Sequence, residues 1–165
     1  MRAFGSFPPL RTWAPLTLLL AAFGCATGST HVVQAPSVKT LAASARLVED
    51  SSGVPVPGGV RDQFRAALAS QLYRDRVFAE GPELTVKWKF VAFDEGNQAL
   101  RYFVGFGAGK GSLVVQASFC DRSGKVLATI LSQGDISMGA FGGTFDTAVQ
   151  GCAREIAMYA AANFR

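Results

Sequence analysis

The chain has 165 residues, of which 49% are hydrophobic and only 17% are charged. This length is enough for one domain with a sizeable core, and the composition excludes wholesale disorder. The formal charge of +4 is not gathered into a Lys/Arg cluster, so the basic balance gives little support for nucleic-acid binding, and we expect no nucleic-acid partner.

Residues 1–24 have the character of an export signal. Arg2 and Arg11 come before an apolar segment, residues 13–23, which is shorter than the roughly 20 residues needed to span a bilayer core. The sequence Ala-Phe-Gly-Cys at 22–25 resembles the bacterial lipobox, which implies cleavage before Cys25 and attachment of lipid to its sulfur. Ordinary secretion, with Cys25 lost alongside the leader, is the alternative.

The residue after the cysteine suggests where a lipoprotein would go. By resemblance to lipoproteins of Gram-negative bacteria, Ala26 in place of aspartate implies the periplasmic face of the outer membrane. Residues 25–36 are small and polar without a clear period, so they predict a lipid-bearing cysteine followed by a flexible tether. His31, the only histidine, falls in this tether with no neighbouring acid or Cys, and we expect no metal site.

A single domain is predicted over residues 37–165. Residues 37–48 indicate a weak first strand, residues 60–76 a helix with apolar residues at helical spacing, and residues 83–93 a strand of clean alternation. In that strand the buried face is predicted to run from Leu84 to Ala92, and the wet face to carry Thr85, Lys87 and Lys89. Residues 111–121 and 125–133 predict a hairpin, and a last helix begins after Thr144. The order β-α-β-β-β-α favours an α/β two-layer sandwich, in which two helices cover one face of a small, mostly antiparallel sheet.

The glycine-rich stretch at 105–112, Gly-Phe-Gly-Ala-Gly-Lys-Gly-Ser, does not fit a phosphate-binding loop. A Walker A motif would need glycine at Val104 and Ser or Thr at Gly111, followed by a helix instead of a strand. The one histidine lies in the predicted tether, so no Ser-His-Asp set is available either. We expect no catalytic residues and no cofactor, and hence a protein that is not an enzyme.

A second glycine-rich segment, residues 134–143, leaves the hairpin at the end where the first one enters it. If residues 121–124 form the turn, Ser112 and Gln133 lie roughly opposite each other, and both segments emerge side by side. The candidate partner surface that this predicts consists of Gly105, Phe106, Gly107, Gly109, Lys110, Met138 and Phe141. The alternative is that these glycines only let the chain bend, with the phenylalanines turned inward.

Cys120 and Cys152 are the cysteines that remain if Cys25 carries lipid. Strand alternation places Cys120 on the face opposite Leu113 and Phe119, whereas Cys152 lies on the apolar stripe of the last helix. The two thiols are therefore expected on opposite sides of the sheet and unpaired, unless a bulge near the turn reorients Cys120.

Residues 93–115 carry a resemblance to a known family. Arg101, the run from Gly105 to Gly111 and the turn from Asp121 to Gly124 resemble the central signature of a bacterial lipoprotein family catalogued as domain of unknown function 4410. The resemblance covers roughly residues 38–160 and implies an envelope lipoprotein with no established activity. We therefore expect a non-catalytic binding or assembly module held at the membrane by its lipid, with an envelope protein or a further copy as partner. The alternative is a small-ligand-binding protein or enzyme that uses the loop at 105–112.

Overall fold

A six-stranded sheet forms one layer of the computed structural model, and two helices form the other. The structure describes residues 28–94, 112–135 and 145–165. The elements are β1 (Gly28–Gln34), β2 (Ser44–Glu49), α1 (Gly58–Leu72), β3 (Ala79–Glu80), β4 (Leu84–Asp94), β5 (Ser112–Cys120), β6 (Val126–Asp135) and α2 (Phe145–Phe164). Among these described elements, no helix is long and apolar enough to cross a membrane.

The strand order across the sheet is β1-β6-β5-β4-β2-β3. β1, β6, β5 and β4 pair antiparallel, whereas β2 runs parallel to both β4 and β3. Two strands that run parallel need a crossover between them, and α1 supplies the one from β2 to β4. The two-layer α/β fold predicted from the sequence is thus confirmed.

The core lies between the two helices and one face of the sheet. Phe64 of α1 packs its ring 4.9 Å from Trp88 of β4, and Phe119 of β5 lies 5.2 Å from Phe164 of α2. All four side chains are buried, and aromatic pairs at these separations stabilise a core beyond the area they remove from water. The face of the sheet that carries Trp88 and Phe119 is called the inner face below, and the opposite one the outer face.

The first helix is displaced from its predicted range. It begins at Gly58 and ends at Leu72, after which Arg74–Arg76 form a short 3-10 turn in place of a last helical turn. Asp75 and Arg76 have positive φ there, so the helix cannot continue through them. Phe64, Leu68 and Leu72 are buried, as the apolar spacing predicted.

The flexible tether predicted at residues 25–36 is wrong for most of its length, because Gly28–Gln34 form β1. β1 pairs with β6 from Gly28 opposite Gly134 to Gln34 opposite Thr129, so the folded domain starts before residue 37. Thr30 also donates a hydrogen bond of 3.3 Å from Oγ1 to Oε2 of Glu155 in α2. Pairing with β6 and this contact hold a segment whose own sequence shows no strand period. The first strand predicted at 37–48 is correspondingly shorter and later, as β2 at Ser44–Glu49.

A bulge interrupts the alternation expected in β4. Phe90 pairs with Val115 and Ala92 with Val114, so Val91 is the extra residue and the side chains beyond it change face. Phe93, not Ala92, consequently reaches the inner face, where its ring lies 5.1 Å from that of Phe145 in α2. The sequence prediction that Ala92 continues the apolar face is therefore wrong.

Candidate functional site

All residues that the sequence singled out as functional lie outside the described parts of the chain. They are the predicted lipid-bearing Cys25 and the candidate partner surface of Gly105, Phe106, Gly107, Gly109, Lys110, Met138 and Phe141. What the structure does describe is the set of strand ends that lead to them.

The described strand ends that border the two glycine-rich segments lie at one end of the sheet. Ser112 of β5 pairs with Asp94 of β4 on one side and with Asp135 of β6 on the other. The hairpin register differs by two residues from the predicted pairing of Ser112 with Gln133, because Gln133 pairs with Val114 and β6 continues to Asp135. Gly28, the first residue of β1, lies at the same end, opposite Gly134. Residues 95–111 and 136–144 are therefore connected to the end of the sheet at which Cys25 precedes β1.

Helix α2 approaches this end of the sheet closely. A Cβ at Gly134 would lie 2.5 Å from the carbonyl oxygen of Ala148, and a Cβ at Gly28 would lie 2.9 Å from Cγ of Glu155. Such distances are too short for any side chain, so glycine is required at Gly134 by the backbone of the helix above it. The close approach fixes β1, β6 and α2 relative to one another.

β1 is an open edge of the sheet that the described strands form. Among those strands it pairs with β6 alone, and its sequence, Gly-Ser-Thr-His-Val-Val-Gln, contains no Lys, Pro or acidic residue. Val32 and Val33 are 52% and 63% exposed. Natural sheets usually protect such edges with charges, prolines or very short strands, since an open edge can pair with another strand. The sequence pattern did not indicate this edge strand, and the adjacent valines were its one signal for a strand.

The opposite edge of the sheet is protected in the usual way. β3 has only two residues, Ala79 and Glu80, both exposed, and Glu80 adds a negative charge. The two edges therefore differ, and β1 is the one suited to strand pairing.

The outer face carries polar and positively charged side chains among a few apolar ones. Arg46 of β2 and Lys87 and Lys89 of β4 occupy neighbouring positions on it, and Nε of Arg46 donates a 2.9 Å hydrogen bond to Oγ1 of Thr85. Gln116 and Ser118 of β5 lie opposite Lys89 and Lys87. The wet face that the sequence predicted for Thr85, Lys87 and Lys89 is confirmed in orientation, although Thr85 itself is buried. Arg46 joins them because β2 runs beside β4.

The turn between β5 and β6 borders an open depression of ≈ 410 Å³ that includes Thr40, Leu41 and Ser123. Glu83 accepts a 2.6 Å hydrogen bond from the backbone N–H of Ala43 and forms an ion pair with Arg122. The hydrogen bond from Ala43, more than the Arg122 charge, lowers the pKa of the Glu83 carboxyl below its usual value. Glu83 and Arg122 are thus engaged in contacts that hold the fold together, and the depression is not a candidate site.

Asp121 organises the same turn. Its Oδ1 accepts hydrogen bonds from the hydroxyl of Ser123 at 2.6 Å and from the backbone N–H groups of Ser123 and Lys125 at 2.8 and 3.0 Å. The Ser123 hydroxyl in particular lowers the pKa of the Asp121 carboxyl. Gly124 has φ of +87°, so the turn uses glycine as the sequence predicted.

Cys120 and Cys152 form no disulfide bond with each other and lie on opposite sides of the sheet, as predicted. Cys120 lies opposite Thr85 on the outer face. Burial raises the pKa of its thiol, and the positive charge of Lys87 offsets only part of that rise. Cys152 lies under the inner face, with Sγ 3.6 Å from the carbonyl oxygen of Ser132. Both thiols are fully buried. Within the described ranges, no group of three or more His, Cys, Asp or Glu side chains could hold a metal ion.

Comparison with known proteins gives a family and a fold. A family model described as Domain of unknown function (DUF4410) matches residues 29–140. No curated protein matches the chain. Two structures of PelC dodecamers from Paraburkholderia phytofirmans are similar to it, and each alignment covers 84% of this chain and 99% of PelC. One, in space group P6, has 10% identity and a TM-score of 0.51; the other, of a PelC variant, has 14% identity and a TM-score of 0.48. At these identities the likeness concerns the fold.

Proposed function

Because this chain belongs to the family of domain of unknown function 4410, we propose that it is a non-catalytic assembly module of the bacterial cell envelope that associates with further copies of itself. In this proposal a lipid on Cys25 holds it at the periplasmic face of the outer membrane. The observation that carries the proposal is the open edge strand β1, with its exposed valines and without protecting charges.

Self-association is the form of assembly that the edge favours. An open strand offers a row of backbone N–H and C=O groups, and a second copy presents the same row. Two β1 strands that pair antiparallel would form a closed, symmetric contact, because the same patch is used by both copies. PelC, a protein of similar fold, forms a dodecamer, which supports self-association as the mode to test here. An assembly larger than a pair would require a second contact surface on each copy.

The predicted lipid would hold this edge close to the membrane. Only Ala26 and Thr27 separate Cys25 from β1, a distance of roughly 10 Å at most for an extended chain. Anchored copies share one plane and one orientation, which raises the effective concentration of their edges. Several acyl chains on one cysteine, at about 0.8 kcal/mol per buried methylene, would make the anchoring permanent.

The anchor is tested by expressing the full chain in a Gram-negative host supplied with an alkyne-tagged palmitate analogue. We expect incorporation into the wild-type protein, which then fractionates with the outer membrane. A Cys25→Ser variant should show neither the label nor the membrane fraction. Label-free wild-type protein released into the periplasm would contradict the anchor.

The assembly is tested by light scattering coupled to size-exclusion chromatography, in detergent, on the full chain. Val33→Lys places a charge on the open edge, and we expect it to reduce the protein mass toward that of the monomer. Val48→Lys is the matched control, because Val48 is 36% exposed but lies in β2, on the other half of the sheet from β1. A monomeric wild type, or equal masses for both variants, would contradict association through β1.

The alternative function, a ligand or substrate bound by the loop at 105–112, has no described side chain to support it. A thermal-shift screen with nucleotides and sugars tests it directly. A reproducible rise in Tm with one compound class would favour this alternative over a purely structural module.

A further inference from the structure

The outer face gathers three cations, and no described side chain on that face carries an opposite charge. Lys87 and Lys89 are two residues apart on β4, which places their side chains about 7 Å apart on the same face. Arg46 pairs in register with Thr85, one step further along the same face. Among strand positions of this face whose side chains are described, no carboxylate occurs.

The ion pairs of the described residues do not involve these cations. Glu49 is engaged by Arg61 and Arg65, and Glu83 by Arg122. Like charges at neighbouring sheet positions repel one another, so the arrangement does not stabilise the fold. Three cations on one face of the sheet, with no ion pair to any described carboxylate, are explained by an anionic partner that approaches this face.

We infer that the outer face docks against anionic phospholipid headgroups of the membrane that carries the anchor. This inference rests on the proposed function for the anchor at Cys25. Because Ala26 and Thr27 are the only link between that cysteine and β1, the sheet stays within reach of the headgroups. Lys and Arg side chains near an anionic surface each contribute to binding, and their contributions fall off within a Debye length.

A flat lipid surface fits this face better than a nucleic acid or a sugar polymer. The aromatic side chains of the described strands lie on the inner face, as Trp88, Phe90, Phe93 and Phe119 show. Single-stranded nucleic acids need aromatic platforms on which bases stack, and sugar rings are commonly bound in the same manner. The outer face offers instead Gln116, Ser118 and the three cations, which suit phosphate oxygens.

This orientation agrees with assembly through β1. A sheet that lies with its outer face on the membrane keeps its edges parallel to the bilayer. The open edge then faces the same edge of a neighbouring copy, while α1 and α2 point away from the lipid.

The test measures which face of the bilayer-bound full chain is near the headgroups. A fluorophore is attached at Gln116→Cys on the outer face or, as the matched control, at Gln150→Cys, an exposed position on α2. Cys120 and Cys152 are fully buried and react slowly. Each protein is reconstituted into vesicles of phosphatidylcholine alone, or of phosphatidylcholine with about one third phosphatidylglycerol, that contain a headgroup quencher.

We expect strong quenching at position 116 in the anionic vesicles only, and weak quenching at position 150 in both. Sodium chloride at about 0.5 M should remove the difference, because screening then acts within a few ångströms. The difference should also be lost in a triple variant, Arg46→Gln, Lys87→Gln and Lys89→Gln. It should persist in a matched variant with three other exposed cations removed, Lys39→Gln, Arg74→Gln and Arg76→Gln.

Equal quenching at both positions, or quenching at position 116 that ignores lipid charge, would overturn the inference. Retention on immobilised dextran sulfate without quenching on vesicles would assign the face to an anionic polymer and equally overturn it. The salt series uses unaltered charges, so it decides the question even if the triple variant does not fold. Failure here leaves the light-scattering and lipid-labelling results for the proposed function untouched, since those concern the β1 edge and Cys25.

Discussion

Replacing Gly134 by alanine tests how tightly α2 is held against the sheet. A Cβ built there lies 2.5 Å from the Ala148 carbonyl oxygen and 3.0 Å from its Cα, whereas ordinary contact begins at 3.4 Å. The helix backbone would have to withdraw by about 0.9 Å, and it cannot do so alone because Cys152 and Ile156 of the same helix are fully buried. Overpacking of a dense core by one methyl group costs about 1–3 kcal/mol.

The expected result is a fall in Tm of about 4–8 °C, taking ~2 kcal/mol and the roughly 2–4 °C per kcal/mol typical of this chain length. The assay is thermal unfolding followed by circular dichroism. Gly53→Ala is the control, since its added Cβ meets nothing within 4 Å. If the two variants melt within a degree of each other, α2 does not approach β6 as closely as described, and the argument for a glycine at Gly134 fails.

Three further outcomes are expected. Phe119→Ala should lower the free energy of unfolding by about 3–5 kcal/mol in urea titration, because the ring is fully buried against Tyr159 and Phe164; unchanged stability would contradict that packing. The Asp121 carboxyl has a lowered pKa in the folded protein, so its contribution is present above its unfolded pKa of about 3.9 and is lost as the pH falls through the folded value. Asp121→Asn should therefore lower the free energy of unfolding at pH 7, and the variant should lose less of that free energy than the wild type between pH 7 and pH 3. An equal decrease in both proteins would contradict the hydrogen bonds to Oδ1. Cys120 and Cys152 should resist iodoacetamide in the folded protein and react fully in guanidinium, with no bridge detected by intact mass; rapid native labelling would contradict their burial.

Much of the fold was predictable because its apolar residues follow simple periods. In α2, Val149, Cys152 and Ile156 recur at helical spacing and all are buried. In β5, Leu113 and Phe119 lie on the predicted inner face. In these elements the residues that the sequence spacing places on the apolar face are the ones that the fold buries.

The remainder depends on contacts between distant segments. Nothing in the sequence from Gly28 to Gln34 alternates, and it becomes a strand because β6 provides a partner for it. The bulge at Val91 is likewise invisible to a period of two, and it exchanges the roles of Ala92 and Phe93. A bulge adds one residue without changing composition, so only the paired register shows it.

The two candidate surfaces, the outer face and the β1 edge, were likewise predictable only in part. The charges of Lys87 and Lys89 on a wet face follow from alternation in β4. The contribution of Arg46 does not, because it requires β2 to run parallel beside β4. That one edge is open and the other short is a property of strand order, which the sequence alone did not indicate.

The pairing of β1 with β6 also has a consequence for the order of folding. Gly28 pairs with Gly134, about a hundred residues later in the chain, so the first described strand to be synthesised cannot pair until the last one, β6, has been made. Contacts of such long separation form late, because the intervening chain has to be ordered first. Until then β6 is itself an edge, and the β1 of a neighbouring molecule can occupy it as well as the molecule's own. Exchange of this strand between nascent copies would join them without any new surface.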